Sequence, residues 1–298
     1  MNRLNWIGGK GGVGRTAIAA SLALKESQSG KKTLLVQLDA GGGLELLFDR
    51  EYLTYEPVEL KPNLYGTQWT PAEAQKEYGL MKLHSQMVYN LVFQNPLMVK
   101  LLDMVPSLSE LLLLGKLWFT LEQTDEKGEP VWDVVVVDAP ATGHSISMLR
   151  VPRVIQAMMG VGPMAEDSRR IEALLTDPRR TGLWIVTLAE ELPVREAISF
   201  FDANREELGL KLERFVLNQC LQATQEDCDD AGRTLSGLGE VPGGVHAALH
   251  SLHTGVQQQA EFEQELRTNT TGSIARVPLL PSETLGLKEL EEIGSWLK

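Results

Sequence analysis

The chain has 298 residues, of which 43% are hydrophobic and 23% charged, and 40 acidic residues against 28 Lys and Arg give a formal net charge of −12. That length can bury one large α/β core or two modest ones, and the composition is that of an ordinary globular chain. The acidic balance argues against a surface that tracks DNA, which needs Lys and Arg to displace counterions, so no nucleic-acid partner is expected.

The first residues run from Met1 into an apolar stretch with no charged leader, so no signal peptide is expected. "RLNWIGG" (3–9) predicts a strand that feeds a glycine loop, and "TAIAASLALKESQSG" (16–30) a helix stopped at Gly30. "KTLLVQLDA" (32–40) predicts a second strand. Residues 72–121 then read as helices rich in Leu and Met, including Met81, Met87, Met98 and Met104. The longest apolar run in them, "LSELLLLGKLWFTL" (108–121), carries Glu110 and Lys116. It is too short and too interrupted to span a bilayer, so stable membrane insertion is not expected and the predicted location is cytoplasmic.

"WDVVVVDAP" (132–140) predicts a third strand whose consecutive valines suit burial on both faces. A further helical stretch, about 152–176, holds Met158, Met159 and Met164. "TGLWIVTLAE", "ERFVLNQC" and "GSIARVPLLP" predict three more strands, and helices are expected over 191–208 and 283–297. The alternation predicts an α/β fold, a mostly parallel sheet with helices on both faces. The segments about 72–121 and 152–176 form an inserted helical subdomain. Cys220 and Cys228 are spaced neither as a CxxC pair nor as a disulfide framework and read as two reduced thiols.

The stretch "GGKGGVGRTA" (8–17) carries the chemistry. Gly9-x-x-x-x-Gly14 has phosphate-loop spacing, but Arg15 stands where a lysine is expected, and another lysine, Lys10, sits early in the loop. Gly9, Gly11, Gly12, Val13 and Gly14 bring backbone N–H groups toward one point, and the helix starting near Arg15 adds the positive end of its dipole. The Thr16 hydroxyl is placed to ligate Mg²⁺. Asp138 ends the valine strand and faces the crevice where a carboxylate holds Mg²⁺, while Asp39 ends the second strand and suits a water-orienting role. A helix cap is the alternative for either aspartate.

Three segments together resemble the ArsA/tail-anchored-protein-targeting ATPases of the MinD/ParA/ArsA class, in their bacterial single-copy form. "KGGVGRT" has the early lysine of the class's deviant Walker A loop, "DAPATGH" (138–144) resembles its second switch, and "TLAEELPVREA" (187–197) with "VLNQ" (216–219) resembles later blocks. "NLYGTQWTPAEAQKEY" (63–78) and "VPLLPSETLGLKEL" (277–290) also fit, so the resemblance runs from about residue 4 to the end and makes 1–298 one ArsA-type P-loop NTPase domain. It implies that Lys10 reaches a partner's nucleotide across a dimer interface, as an arginine finger does. It also implies that Asp39 positions the attacking water, that Asp138 associates with Mg²⁺, and that Gly143, beside His144, senses the γ-phosphate. Asn218 would read the adenine edge of ATP or ADP, flanked by Pro278 and Leu279.

The chain departs from the family in several places. The family's "DPAHN" is "DAGGG" here, which loosens the first switch. ArsA itself is a tandem of two halves, so one half needs a dimer. Arsenite pumping needs several soft thiolates in the switch or helical regions and is disfavoured. The eukaryotic targeting factors carry a CxxC zinc clasp, and "CDDA" (228–231) is not one. Arg at position 15 keeps the charge and can fork onto two oxygens, but it is bulkier than Lys. Slowed hydrolysis and normal turnover in a reshaped loop both stand. His246, His250 and His253 share a helical face that suits either a metal or solvent.

The expected function is an ATP-hydrolysing dimeric switch, a P-loop ATPase that couples Mg-ATP-driven closure to binding or release of a protein client, which the Met-rich helices suit if it is hydrophobic, ordinary helical core being the alternative reading of those helices. The alternative is a hydrolysis-impaired regulatory subunit in a heterodimer with an ArsA-like paralogue. A MinD/ParA-type positioning ATPase is a third reading, against which "DAPATGH" and the acidic C-terminal helix count.

Overall fold

The computed structural model describes residues 2–38, 43–83, 107–238, 242–282 and 284–297. Asp39 therefore lies outside the described residues, as do Met87, Met98 and Met104. In chain order the elements begin with β1 (Leu4–Gly9), α1 (Arg15–Gln28), β2 (Thr33–Gln37) and the short α2 (Leu44–Leu47). Next come β3 (Val58–Lys61), β4 (Leu64–Gln68), α3 (Pro71–Leu83), α4 (Leu108–Glu122) and β5 (Val134–Asp138). They continue with α5 (Thr142–Met159), α6 (Pro163–Thr176), β6 (Thr181–Leu188) and α7 (Glu191–Ala203). The last are β7 (Leu212–Cys220), α8 (Gln225–Gly237), α9 (Gly243–Asn269), β8 (Ile274–Pro278) and α10 (Leu287–Trp296).

The eight strands lie in the order β3-β4-β2-β5-β1-β6-β7-β8. Every neighbouring pair is parallel except β3–β4, which is antiparallel at one edge. From β1 the chain first moves outward past β5 to β2, and later steps the other way through β6, β7 and β8. A reversal of this kind opens a crevice at the carboxyl ends of the central strands, because the following loops diverge there.

The valine run shows why both faces are covered. Side chains alternate along a strand, so Val135 and Val137 point one way and Val134 and Val136 the other. The first pair packs with Leu4, Trp6 and Ile185 under α4–α7, and the second with Ile7, Leu35 and Val186 under α1 and α10. All four valines are at most 3% exposed, as expected of a doubly covered parallel strand. Among the described residues, α3 and α4 lie within or at the ends of 72–121 and α6 within 152–176, while α5 starts at Thr142, ten residues before the expected second segment; residues 84–106 lie outside the described residues. Leu111, Leu114, Leu117 and Leu121 of α4 share one apolar cluster with Leu4 and Trp6, so this layer rests directly on the sheet.

The helix expected over 191–208 is α7 followed by a single π turn, Asn204–Leu208. Asn204 closes it: its Oδ1 accepts the Leu210 N–H at 3.0 Å and its Nδ2 donates to the Leu210 carbonyl at 2.9 Å. The last helix starts at Leu287, later than 283, because the Glu289 carboxylate accepts the Gly286 N–H at 3.0 Å and sets its first turn there. The alternation does not foretell β3 and β4, which are short and, in β3, carry Glu59 and Lys61.

Candidate nucleotide-binding site

β1 is buried along its length and delivers the glycine loop to the carboxyl edge of the sheet. Gly9 is pressed against the Val186 carbonyl of neighbouring β6, so a side chain there would collide with backbone. Gly14 caps α1 in the left-handed region, φ 88°, and a Cβ there would run into the Asn218 amide. No side chain caps α1 and its first turn has no acidic residue. Its leading N–H groups are thus left for an anion, the arrangement that favours phosphate at a helix N-terminus.

Asp138 ends β5, directly beside β1, and is 2% exposed. The Thr16 hydroxyl, one residue into α1, donates to its Oδ2 at 2.8 Å. A hydroxyl and a carboxylate held together at a loop of this kind are hard oxygen donors, and they fit Mg²⁺. Bound there, Mg²⁺ would neutralise charge on the phosphate oxygens. The Arg15 guanidinium donates to the carbonyl of Ala139, the residue after Asp138, and so ties the loop to the start of the "DAPATGH" segment.

Lys10, in the loop, lies 3.8 Å from Glu196 of α7, the helix that follows β6. Both side chains are partly exposed, at 27% and 37%. Exposed pairs of this kind are worth about 0–1 kcal/mol, so Lys10 is free to leave. Asn218 sits at a bulge in β7 between Leu217 and Cys220, and its Nδ2 donates to the Val13 carbonyl at 2.9 Å. Its Oδ1 accepts the Gln219 N–H at 3.0 Å. An Asn amide has two donors and two lone pairs, so one of each remains. Pro278 pairs in register with Cys220, and the Leu279 N–H bonds the Cys220 carbonyl at 2.9 Å, which sets that segment beside Asn218.

Gly143 and His144 open α5 and both are exposed. A Cβ at Gly143 would meet nothing within 4 Å. His144 Nε2 is 3.7 Å from Glu110 of α4, and Ser145, one residue on, accepts the Trp6 indole N–H at 2.8 Å. The start of α5 is therefore joined to both α4 and β1. The structure thus gathers the Gly9–Thr16 loop, Asp138, Asn218, Pro278 and Leu279 along one edge of the sheet. Glu196, Ala139 and Glu110 belong to it too and have no motif to announce them. His246, His250 and His253 lie on α9, and no group of three His, Cys, Asp or Glu able to hold a metal occurs among the described residues. Nor is any described helix long and apolar enough to cross a membrane.

Residues 2–164 match the sequence profile of a family described as anion-transporting ATPase (ArsA). The chain is also similar to the ATPase BagA of Mycobacterium tuberculosis, 30% identical over 233 residues, covering 76% of this chain and 68% of that protein. It is 28% identical over 244 residues to the arsenical pump-driving ATPase of Escherichia coli, covering 74% of this chain and 40% of the relative. To the protein of the same name from Acidiphilium multivorum it is 27% identical, over 96% of this chain and 46% of the relative.

Proposed function

This chain belongs to the ArsA family of anion-transporting ATPases, and on that premise we propose that it is a cytoplasmic, Mg-ATP-dependent switch that works as a dimer. The observation that carries the reading is the Thr16–Asp138 contact at the mouth of an uncapped helix beside a glycine loop. Residues 9–16 would cradle the phosphates of ATP or ADP, Thr16 and Asp138 would hold Mg²⁺, and Asn218, Pro278 and Leu279 would flank the base. Asp39 would orient the attacking water, and Gly143 and His144 would respond to the γ-phosphate. Lys10 would leave Glu196 and reach the nucleotide of the partner copy, where a cation stabilises transition-state charge. The output would be capture or release of a protein client by the helical layer built from about 72–121 and 152–176. The E. coli relative is named for an arsenical pump. In this chain the two cysteines lie on β7 and α8, away from the switch and helical segments, so we do not extend that role to it.

The test is ATP turnover by the isolated chain. Turnover that Lys10→Ala reduces by about a hundredfold, the scale of one transition-state contact, supports the switch. Absence of ATP binding in calorimetry with magnesium at millimolar ligand refutes it.

A second reading is favoured by Arg15, whose guanidinium is engaged by the Ala139 carbonyl. Arg is no equivalent of Lys at a crowded phosphate. In this reading the chain binds ATP, turns it over slowly, and acts as the regulatory half of a heterodimer with an ArsA-like paralogue. Arg15→Lys then raises turnover at least tenfold, and unchanged turnover in that variant rejects it.

A further inference from the structure

Gln37 is a polar residue that neither the core nor the motifs explain. It ends β2 and is 0% exposed. Leu35 packs on the α1 side of the sheet, and alternation turns Gln37 to the same side. Leu44, which opens α2, is buried there as well. A leucine or methionine would fill such a place and leave no polar group behind. The amide spends only its oxygen, since Oε1 accepts the Leu44 N–H at 3.2 Å. That bond also fixes which end of the amide is which, because an N–H cannot donate to an NH₂ group. Nε2 is buried and has no hydrogen-bond partner among the described residues. Buried donors left unpaired are costly and rare, and one that persists points to an acceptor that arrives later.

The sheet shows from which side that acceptor comes. Gln37 is in register with Asp138 of β5 on one side and with Gln68 of β4 on the other. Val134 and Val136 pack on the α1 side, so Asp138 stands on that face too. Gln37 and Asp138 are therefore same-face neighbours on adjacent strands, about 4.8 Å apart by the spacing of strands. Asp138 in turn accepts the Thr16 hydroxyl at 2.8 Å. The backbone around Gln37 is tied on both sides: the Leu38 N–H donates to the Asp138 carbonyl at 3.3 Å, and the Trp69 N–H donates to the Gln37 carbonyl at 3.0 Å. What is left to respond is the side chain, which stands between the Thr16–Asp138 pair and the first residue of α2.

We propose that Gln37 is a positioning residue that ties α2 to the state of the metal site: Oε1 holds Leu44, and Nε2 donates to an oxygen of the Thr16–Asp138 site once Mg-nucleotide occupies it. The inference rests on the nucleotide reading above and deepens it, adding a response to the metal itself rather than to the γ-phosphate. A second hydrogen bond stops the amide from turning and strengthens the one it already makes to Leu44. The start of α2 is then firm with Mg-ATP and with Mg-ADP alike, and looser with nucleotide that lacks the metal. An Asp138 carboxylate is a stronger acceptor than a carbonyl, so the contact suits a neutral donor with no other partner.

Hydrogen exchange at the Leu44 amide, read by NMR on the full chain, tests this, with ADP and magnesium set against ADP and EDTA. Magnesium is expected to slow exchange about fivefold, the net worth of one hydrogen bond. Gln37→Met, similar in volume but with neither donor nor acceptor, should speed exchange in both conditions and abolish the difference, while its calorimetric affinity for metal-free ADP stays that of the native chain. Gln37→Glu keeps an acceptor and has no donor, so it should hold Leu44 yet lose the response, and it serves if the methionine variant does not fold. Gln68→Met, on the other side of Gln37, should keep the response. A role confined to packing, or an Nε2 satisfied by an ordered water, gives the same magnesium response in Gln37→Met as in the native chain, and that result overturns the proposal. So does a native chain whose Leu44 ignores magnesium although Mg-ADP binds, which leaves the nucleotide reading standing. If ADP binds in neither condition, the nucleotide reading falls and this one with it.

Discussion

Replacing Asn218 by Ala removes the clamp between β7 and the glycine loop. Two hydrogen bonds go, Nδ2 to the Val13 carbonyl at 2.9 Å and Gln219 N–H to Oδ1 at 3.0 Å. Val13 is 1% exposed, so water replaces its bond poorly, whereas Gln219 is exposed and its N–H can turn to water. A buried group left without its partner costs about 1–3 kcal/mol, which sets the loss of stability. At an unfolding entropy of about 2.1 cal/mol/K per residue, a chain of this length should melt roughly 2–5 °C lower. Differential scanning calorimetry of the ligand-free chain measures this. Nucleotide binding is the second readout. A loop that has lost its tether should bind ATP and GTP more weakly by the same factor, about tenfold for 1.4 kcal/mol of lost order. If Asn218 instead serves the base alone, melting is unchanged and only the preference for ATP over GTP falls. That result would refute the clamp.

Thr16→Ala removes one of the two oxygens proposed to hold Mg²⁺, so ATP affinity should lose most of its magnesium dependence while metal-free ADP binding is unchanged, as titration calorimetry with and without the metal would show. Ser145→Ala leaves the buried Trp6 indole N–H without its acceptor at 2.8 Å and should cost about 1–3 kcal/mol in urea unfolding. Burial and the neighbouring Glu77 carboxylate push the Tyr55 phenol well above its usual range. The folded form therefore keeps a proton that the unfolded chain releases, and the resulting stability is fully present below pH 10 and lost as pH rises above it. The slope is up to about 1.4 kcal/mol per pH unit, and Tyr55→Phe should flatten it relative to the native chain.

What could be seen in the sequence was local. The glycine spacing, Thr16 and the aspartate at the end of the valine run are each defined by a few neighbouring residues, and a parallel sheet sends every strand's carboxyl end to one edge. Strand–helix alternation therefore foretold the sheet and the placing of 9–16 and 138 at one edge, whereas Asn218, Pro278 and Leu279 were named from the resemblance to ArsA-type ATPases. Lys10 and Glu196 are different. Their approach depends on β6 lying next to β1, with α7 leaving β6 at the same edge, and nothing in 187–197 states which strand is the neighbour. Asn218 was named from the resemblance alone, and its hold on Val13 depends on a bulge in β7 that appears only once β8 is paired. β3 is a four-residue edge strand whose apolar face, Val58 and Leu60, spans only two repeats, and β4 beside it is broken in the middle by Gly66, so neither gives a pattern long enough to read.

The loop is tethered on both sides of β1. Asn218 holds Val13 from the β7 side, and Arg15 holds Ala139 on the β5 side. These tethers differ in kind. The first joins buried partners within the sheet layer, so it fixes the loop. The second joins a charged side chain to a backbone carbonyl, and an entering phosphate competes for the same guanidinium with two or three charged oxygens, which bind it more strongly than a carbonyl does. In the proposed switch, phosphate binding therefore frees Ala139 while Val13 stays in place. Three residues beyond Ala139 α5 begins, and its first turn bears His144 against Glu110 of α4 and Ser145 against Trp6 of β1. A shift of the 139–142 segment thus reaches α4 through one contact and is resisted by the other. This gives Arg15 a role that a lysine at the same place would fill less well: a compact ammonium is a point charge, whereas the planar fork can hold the switch segment when phosphate is absent and the phosphate when it is present.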